Sequence, residues 1–344
     1  MHISDTRFMN KNILLAHGSG GKMTQELIRK VFLKQFDNPV LNTQSDSSIL
    51  TIDNQLFAFT TDSYVIDPLF FPGGNIGKLA VCGTVNDLSV SGAKPLYLSA
   101  SFIIEEGFPV DQLEKIVESM QLTANEAEVT IVTGDTKVVE RGQCDKLFIN
   151  TTGIGLLSKS YKDISTGKTI GPGDKIIVNG YLGDHEMAIL GAREKLNFKT
   201  GIVSDVAPVN HLIHKVLSSG DIKFMRDITR GGLATILSEV TENKSFGVRI
   251  VESEIPVREE VKGMCEIFGF DPLFLANEGK VLIITAPENV SAIVENLHRH
   301  PYGTQAKIIG EVVSDHPGKT ILESEVGGTR IVDKLSGMQL PRIC

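Results

Sequence analysis

Apolar residues recur along this chain with two different periods, which predict strands and helices in alternation. Alternation with a period of two, or a short continuous apolar run, predicts a strand, whereas apolar residues three and four apart predict a helix. We predict strands at residues 49–52, 56–61, 96–104, 129–139, 150–157, 175–178 and 281–285, and helices after residue 22 and at 76–90, 110–124, 186–196 and about 232–240. The pattern favours an α+β fold.

Composition changes once, at a polar stretch rich in glycine, lysine and threonine. A chain of 344 residues also exceeds what one core usually serves. We therefore predict an N-terminal domain at 1–158, a linker at 159–174, a C-terminal domain at 175–334 and a tail at 335–344.

The formal charge of -8, without any run rich in lysine or arginine, argues against a nucleic acid or an anionic membrane as partner. The first twelve residues lack the apolar core of a secretory signal, and no run approaches the ~20 apolar residues of a membrane span. We expect a cytoplasmic protein.

The four cysteines form neither a CxxC pair nor a His/Cys cluster, which argues against a zinc or iron–sulfur site. Cys82, Cys144 and Cys265 lie in or beside apolar stretches, so we interpret them as packed thiols.

Cys344 differs from the other cysteines because it ends the chain three residues after Pro341, which cannot continue a helix. We expect an extended, mobile tail that reaches roughly 25 Å from Gly337. Such a tail could carry a nucleophilic sulfur between two sites. The alternative is a frayed chain end without a function.

Residues 17–22, His-Gly-Ser-Gly-Gly-Lys, precede a predicted helix. Glycines at a helix start leave backbone N–H groups free to approach an anion. Met23 stands where a Walker A motif has serine or threonine, so the loop differs from that motif. Phosphate binding and a plain flexible turn both remain open for Gly18, Gly20, Gly21 and Lys22.

Asp46, Asp62 and Asp87 lie beside small polar residues near predicted strands or inside a predicted helix. Carboxylates in such places bind magnesium, although each alone is more often a turn or cap residue. Asp87 lies inside an apolar helix, where a carboxylate is costly unless it is paired or binds a metal.

Asp135 and Lys137 flank Thr136 in a predicted strand, so they share one face of it. The adjacent Gly134 indicates a bulge beside a ligand. An exposed ion pair would give the same sequence.

Two further segments carry candidate chemistry. Arg230 and two glycines at a helix start form a second potential anion site near Asp227, or simply a polar cap. Glu278 lies between the strand-like residues 273–275 and 281–285, where it is a candidate proton acceptor or a solvated turn residue. We interpret three histidines as surface or cap residues: His185, His211 and His214.

The motifs HGSGGK, SDSS, TTDS, GTVNDLSVSGAKP, TGDTK, MRDITRGGLA, ANEGK and a terminal PRIC occur in this order. Together they resemble the HypE family of hydrogenase maturation carbamoyl dehydratases, within the superfamily of aminoimidazole ribonucleotide synthetase. The resemblance spans residues 12–344. Most motifs are shared across the superfamily and indicate ATP use, whereas PRIC is specific to the family.

The resemblance implies a two-domain α+β subunit whose N-terminal domain forms a homodimer through its sheet, with ATP between the domains. It also implies roles for single residues. Those implied to bind ATP or its phosphates are Gly18, Gly20, Gly21, Lys22, Asp227, Thr229, Arg230 and Asn277; those implied to bind Mg²⁺ and phosphate are Asp46, Asp62, Asp87 and Asp135; those implied to be catalytic are Cys344, Lys137 and Glu278.

The implied reaction begins when the partner carbamoyltransferase HypF loads a carboxamido group onto Cys344 as a thiocarbamate. ATP then activates the carbonyl oxygen, and loss of water leaves a thiocyanate. The cyano group passes to iron on the HypC and HypD complex, as the cyanide ligand of a [NiFe] hydrogenase. Glu186 stands where the family pattern has a small residue, and it touches none of these roles.

Two other enzymes of the superfamily are alternatives. Selenophosphate synthetase works with cysteine or selenocysteine near its glycine loop, but here no cysteine precedes Cys82. Thiamine monophosphate kinase needs no terminal thiol. A third alternative, from another functional class, is a non-catalytic protein whose tail docks a partner.

Overall fold

The computed structural model describes residues 12–193, 201–337 and 340–344, which form a five-stranded sheet and a short two-stranded sheet in the N-terminal half and a seven-stranded sheet in the C-terminal half. In the N-terminal half, a π-helical segment, Ile28–Phe32, joins the first two helices. The helices are α1 (Lys22–Leu27), α2 (Leu33–Phe36), α3 (Ile76–Val90) and α4 (Val110–Glu126), and the strands are β1 (Ser48–Ile52), β2 (Gln55–Tyr64), β3 (Phe70–Phe71), β4 (Gly74–Asn75), β5 (Ala93–Glu105), β6 (Thr130–Val139) and β7 (Leu147–Leu157).

The C-terminal half supplies seven strands and five helices. The strands are β8 (Lys175–Val178), β9 (Ile222–Asp227), β10 (Gly247–Val251), β11 (Val281–Thr285), β12 (Lys307–Val313), β13 (Thr320–Glu323) and β14 (Thr329–Val332), and the helices are α5 (Asp184–Ala192), α6 (Asn210–Leu217), α7 (Gly232–Thr241), α8 (Glu259–Phe268) and α9 (Val290–His298).

The N-terminal sheet has the order β1-β2-β7-β5-β6, and α3 packs on one of its faces. Asn75 caps α3 by accepting hydrogen bonds from the N–H groups of Gly77 (2.8 Å) and Lys78 (3.1 Å). The helix contacts the sheet, α4, α6 and β9, so it is covered on several sides. This environment explains its almost uniformly apolar sequence, since a helix that is apolar all round is buried.

The opposite face of the N-terminal sheet lies open to solvent and carries large apolar side chains, among them Phe59, Tyr97 and Ile103. Strand β6 forms one edge of the sheet and exposes nine of its ten residues. Its apolar Val132 and Val138 are 58% and 68% exposed, and an open apolar edge of this kind is a site for pairing with another chain.

The C-terminal sheet has the order β14-β13-β10-β12-β8-β11-β9. Helix α7 packs on one face, where Leu233 and Leu237 join the core, and α6 and α9 cover the other through Leu212, Ile213 and Ile293. Buried on both faces, strand β11 is fully apolar except for its final threonine.

The two-domain α+β fold and most of the predicted elements are confirmed, with ends shifted by a few residues. The expected bulge also occurs, because the register of β5 against β6 shifts between Leu98 and Ser99, beside Thr133. The strand-like reading of residues 273–275 is wrong, since Pro272–Phe274 is a 3-10 turn in which Asp271 accepts from the N–H of Leu273. The predictions for residues 1–11 and 194–196 lie outside the described residues.

Candidate active site

The end of the chain lies along the N-terminal domain in an extended conformation. The N–H of Val65 donates to the carbonyl oxygen of Cys344 at 3.0 Å, and the N–H of Asp67 donates to that of Arg342 at 3.2 Å. The side chain of Ile343 is buried in the N-terminal core. The extended conformation agrees with the expectation from Pro341, and the docking adds an anchor that the sequence did not indicate.

His185 in α5 and Arg193, which directly follows α5, also bind the tail. The Nε2 atom of His185 donates to the carbonyl oxygen of Ile343 at 2.6 Å, and its Nδ1 therefore accepts from Ser204 Oγ at 2.7 Å. The guanidinium of Arg193 donates to the carbonyl oxygens of Pro341 (2.5 Å) and Arg342 (3.1 Å). His185 is fully buried, so its interpretation as a surface or cap residue is wrong.

A cavity of about 190 Å³ adjoins the docked tail. Residues from six separate segments line it, so the fold brings together the glycine loop, the start of α7, helix α5, the chain end and the segments at Val65 and Phe274. The lining includes Gly18, Ser19, Glu186, Arg230, Gly231 and Cys344. Two of the predicted site segments, separated by more than 200 residues in sequence, therefore meet at the terminal cysteine.

The residue Cys344 is half-buried, and its thiol lies in a predominantly acidic environment. Burial raises the pKa of Cys344 to about 12; Arg230 opposes this shift, whereas Glu278, Asp62 and Glu186 add to it. The charge at Cys344 in turn raises the pKa of Arg230. A bare thiol in this position is therefore kept protonated and is a poor nucleophile, because the thiolate is the reactive form.

Glu278 is buried beside this cysteine, and one of its carboxylate oxygens, Oε1, has no hydrogen-bond partner among the described residues. Burial, followed by the charges of Asp205, Asp227 and Asp62, raises the pKa of Glu278 well above its ordinary value. A buried carboxyl group with a free oxygen is suited to exchange a proton with a ligand. The structure thus brings Glu278 and Cys344 together.

The glycine loop is tied to both α7 and the segment before the tail. Gly18 accepts at its carbonyl oxygen from Arg230 at 2.8 Å, and Lys22 donates its N–H to Leu335 at 3.1 Å. Gly20 has a φ of +79°, and a Cβ on Gly21 would lie 2.4 Å from the carbonyl oxygen of Leu335. Both glycines are therefore required by the backbone itself, independently of any phosphate.

Four of the predicted aspartates form one acidic group, in which Asp227 is buried and Asp46, Asp62 and Asp87 are half-buried. Burial, together with the charges of the other three, raises the pKa of Asp87 well above its ordinary value. Burial and Asp46 raise that of Asp227 to about 8. Asp46 is ion-paired with Arg226 at 3.2 Å, and Thr60 Oγ1 donates to Asp87 at 2.8 Å.

This acidic group suits a hard cation with phosphate ligands of its own. Within the described residues, no set of three or more histidine, cysteine, aspartate or glutamate side chains could hold a metal ion unaided. Mg²⁺ usually takes one or two carboxylates and completes its shell with phosphate oxygens and water. Separated carboxylates that repel one another therefore fit Mg²⁺ bound together with a nucleotide.

Asp135 and Lys137 lie on the other face of the sheet, away from these residues in the same subunit. Through the strand pairs, Asp135 is in register with Ser101, Asn150 and Ser63, whose side chains point to the open face, whereas Asp62 points towards α3. Three strand spacings amount to about 14 Å. Among the residues that the structure describes, Lys137 forms an ion pair only with Asp135, at 2.6 Å, and its side chain is 66% exposed.

The other residues predicted to bind the nucleotide differ in whether their side chains already have hydrogen-bond partners. Asn277 is buried, and its amide bonds the backbone of Gly183 (2.8 Å), Ile228 (3.0 Å) and Leu275 (3.0 Å). The side chain of Asn277 thus fixes three loops, and its nucleotide-binding role stays a prediction. The Lys22 side chain pairs with Asp333 at the surface, and Thr229 lies in the turn before α7.

Sequence reasoning missed three residues of the site: His185, Glu186 and Arg193. The only signal was a polar run, Gly-Asp-His-Glu, before an apolar helix, which resembles an ordinary helix start. His185 and Ile343 are separated by 158 residues, so no local sequence pattern indicates their contact.

None of the described helices is long and apolar enough to span a bilayer.

The sequence matches two family models, the AIR synthase related protein N-terminal domain over residues 44–157 and its C-terminal domain over residues 171–323. Among known proteins, the carbamoyl dehydratase HypE of Rhizobium leguminosarum bv. viciae is 48% identical over 97% of this chain and 96% of its own.

Solved structures give the same result. A HypE–HypF complex structure has a TM-score of 0.84 at 49% identity and covers 90% of this chain and 99% of that chain. A HypE structure in complex with ATP has a TM-score of 0.80 at 46% identity and covers 97% and 100%. The chain therefore belongs to the carbamoyl dehydratase HypE family of AIR synthase related proteins, which acts in hydrogenase maturation.

Proposed function

We propose that this enzyme uses ATP to dehydrate a carboxamido group carried on Cys344 as a thiocarbamate, which leaves a thiocyanate that supplies the cyanide ligand of a [NiFe] hydrogenase. The observation that carries the proposal is the place of Cys344, which lies in a cavity beside Glu278, Arg230 and the glycine loop. A terminal sulfur without a role would have no reason to be held there by backbone and side-chain hydrogen bonds.

The chemistry requires an activated leaving group. The carbonyl oxygen of the thiocarbamate attacks the γ-phosphorus of ATP, so an O–P bond forms and the bond to the leaving ADP breaks. Phosphate then departs with that oxygen, and the nitrogen loses its protons as the C≡N bond forms. Glu278 receives a nitrogen proton, and the cationic Arg230 offsets negative charge near the sulfur. Mg²⁺, when bound, neutralises charge on the phosphates.

The residues that would hold the nucleotide are those around the cavity. The N–H groups of Gly18, Gly20 and Gly21 and the side chain of Lys22 contact phosphates, with Arg230 and Thr229 at the start of α7. Asp46, Asp62, Asp87 and Asp227 supply oxygen to magnesium, and Asp87 is the central member because the other three all act on its pKa.

Lys137 and Asp135 enter the reaction through a homodimer. The open face and edge of the N-terminal sheet expose apolar side chains beside these two residues, and pairing of two such sheets would cover them. In that arrangement the Lys137 and Asp135 of one subunit serve the cavity of the other. The position of Lys137, on the opposite face from Asp62 in its own subunit, favours this arrangement.

Subunit mixing tests the arrangement. The Lys137→Ala and Cys344→Ala variants should each be inactive, and mixing them under conditions that exchange subunits should restore part of the activity. Restoration requires that a Cys344 from one chain meets a Lys137 from the other. If the mixed sample stays inactive although heterodimers form, Lys137 acts within its own subunit; if Lys137→Ala is active by itself, Lys137 has no role in the reaction.

The reaction cycle also needs partners at both ends. HypF is the proposed donor of the carboxamido group, which agrees with the HypE–HypF complex of a similar protein. The HypC and HypD complex is the proposed acceptor of the cyano group. Because Cys344 is half-buried and hydrogen bonds hold the tail in the docked state, we propose that residues 335–344 swing out to meet both partners.

Intact mass spectrometry tests the reaction itself. The protein is incubated with HypF, carbamoyl phosphate and ATP, and its terminal peptide should first gain one carboxamido group and then lose one water. The Cys344→Ala variant should show neither change. A carboxamido group that persists at Cys344 while ATP is present would contradict the dehydration, and modification of another residue would contradict the carrier role.

A further inference from the structure

Glu186 is a second buried carboxyl group beside Cys344, and the proposed reaction has not yet used it. It lies in the first turn of α5 and is 2% exposed. Its Oε2 accepts from the N–H of Ala276 at 2.7 Å, whereas Oε1 is buried without a hydrogen-bond partner among the described residues. A buried carboxylate oxygen without a partner is costly, so it calls for a ligand.

The geometry indicates which ligand is near. Glu186 and Cys344 both line the 190 Å³ cavity, and the charge of Glu186 acts on the Cys344 thiol. The preceding residue, His185, holds the carbonyl oxygen of Ile343, so a single helical turn both anchors the tail and presents this carboxyl group. A water molecule takes about 30 Å³ of liquid volume, so a carboxamido group of three heavy atoms fits the cavity.

The carboxamido group on Cys344 also has hydrogen-bond donors that suit these carboxyl groups. A thiocarbamate nitrogen offers two N–H donors, and two carboxylate oxygens without partners, Oε1 of Glu186 and Oε1 of Glu278, lie near the sulfur that carries it. The bare thiol offers only one weak donor. The pair of carboxyl groups therefore distinguishes a loaded tail from an empty one.

We propose that Glu186 binds an N–H of the carboxamido group on Cys344 and accepts the first of the two protons that the nitrogen loses. This inference rests on the proposed function and extends it. When the carbonyl oxygen bonds to the γ-phosphorus and ADP leaves, the electrons of one N–H bond form the C=N bond and the proton passes to Glu186. When phosphate leaves, the second N–H bond supplies the C≡N bond and its proton passes to Glu278.

The electrostatics of the site suit this role. Burial raises the pKa of Glu186 from 4.5 to about 7, while the Ala276 N–H and Arg193 oppose the shift. Among the described residues, Cys344 and, on α8, Cys265 also interact with its charge, and Arg230 lines the same cavity. A proton acceptor works best with a pKa near the working pH.

Docking can be tested without ATP. Cyanate adds H–N=C=O across a thiol and gives the same thiocarbamate, so Cys344 can be loaded chemically in a Cys144→Ser background. Hydrogen–deuterium exchange at residues 340–344 and at the Val65 N–H should slow on loading in the parent protein. In Glu186→Gln, whose amide would direct N–H groups at the cargo, loading should give no added protection.

A matched control separates this effect from a general change in α5. Asp184→Asn alters another buried carboxyl group two residues away, which pairs with Arg258 at 3.0 Å outside the cavity lining, and loading should still protect its tail. Equal loading-dependent protection in Glu186→Gln and the parent overturns the inference. Because this measurement needs no dehydration, it holds even if the proposed function fails.

Proton transfer is tested in a single turnover. With loaded protein and ATP, ADP formation in the parent should rise with pH through an apparent pKa near 7, and Glu186→Gln should lose this limb and slow by about tenfold to a hundredfold. Glu186→Ala, which restores the small residue of the family pattern, should behave similarly. An unchanged rate and pH profile in both variants, with intact folding by thermal denaturation, would show that Glu186 takes no proton.

Discussion

The imidazole of His185 holds the chain end, since its Nε2 lies 2.6 Å from the carbonyl oxygen of Ile343. Burial lowers the pKa of His185, so the ring is neutral and has a single N–H to donate. Ser204 fixes which nitrogen carries it, because Ser204 Oγ also accepts from the N–H of Val206 at 3.1 Å and turns its own hydrogen towards Nδ1. The position of the chain end therefore depends on the tautomer of His185, which Ser204, 19 residues further along the chain, determines.

We predict that His185→Ala loosens the docked tail. Loss of one hydrogen bond costs about 1 kcal/mol, so tail exchange in hydrogen–deuterium measurements should accelerate roughly fivefold. His298→Ala serves as the control, because His298 also bonds a backbone carbonyl, that of Ala306 at 3.0 Å, in a region remote from the tail. Equal tail exchange in the two variants would contradict the anchoring role.

The docked thiol should react slowly with alkylating agents. A pKa of about 12, against an ordinary 9.0, lowers the thiolate fraction of Cys344 at pH 8 roughly a thousandfold. Alkylation by iodoacetamide, followed in the terminal peptide by mass spectrometry, should therefore occur mainly through undocked molecules. It should accelerate in Arg193→Ala, which removes two hydrogen bonds to the tail. Alkylation as fast as that of a free cysteine would show that the docked state is rarely populated.

Glu186 should make stability depend on pH. Its pKa is higher in the folded protein, about 7, than the ordinary 4.5, so its favourable contribution is complete below pH 4.5 and is lost as pH rises through 7. The Glu186→Gln variant has no ionisable group at this position, so its stability does not fall in this way as pH rises. The free energy of unfolding of the variant should exceed that of the parent by up to about 3 kcal/mol at pH 8, with little difference at pH 4.

Chemical denaturation at both pH values measures this difference. Asp163→Asn, at a surface ion pair with Lys168, should show no comparable pH-dependent gain. A difference between Glu186→Gln and the parent that does not grow with pH would mean that Glu186 is already ionised at low cost in the fold.

Asp87→Asn should separate stability from nucleotide binding. Burial raises the pKa of Asp87, so the ionised form is unfavourable in the fold, and a neutral amide should leave the free energy of unfolding at pH 7 unchanged or higher. The amide is a poorer ligand for magnesium, and the affinity for ATP with Mg²⁺ should fall at least about tenfold. Calorimetric titration and thermal denaturation give the two quantities. Unchanged affinity would remove Asp87 from the metal site.

Local sequence patterns predicted most elements of the fold because each depends on neighbouring residues. The α3 helix, for example, follows from its apolar run, and the period of two placed Asp135 and Lys137 on one face, as the register of β6 confirms. The same pattern could not show that this face lies opposite Asp62, since strand order depends on pairing between distant segments.

The candidate site was predictable where a residue type is costly without a partner, as with Asp87 inside an apolar helix, whereas Glu278 was a candidate only because it lies between two apolar runs. Site residues could not be predicted where their contacts are with segments distant in sequence. His185 read as a surface residue because its neighbours are polar, and Glu186 read as a harmless departure from the family pattern. Both are buried by segments remote in sequence, among them the tail at Ile343 and the loop at Ala276.

The exposed β6 edge has a consequence for how the protein is made. If the proposed homodimer forms, each newly folded subunit presents Val132, Val138 and the outer backbone groups of β6 until a second copy covers them, and such edges also attract unrelated strands. Yield in a host cell should then depend on local synthesis rate and chaperone supply, and dilute samples should lose turnover on storage.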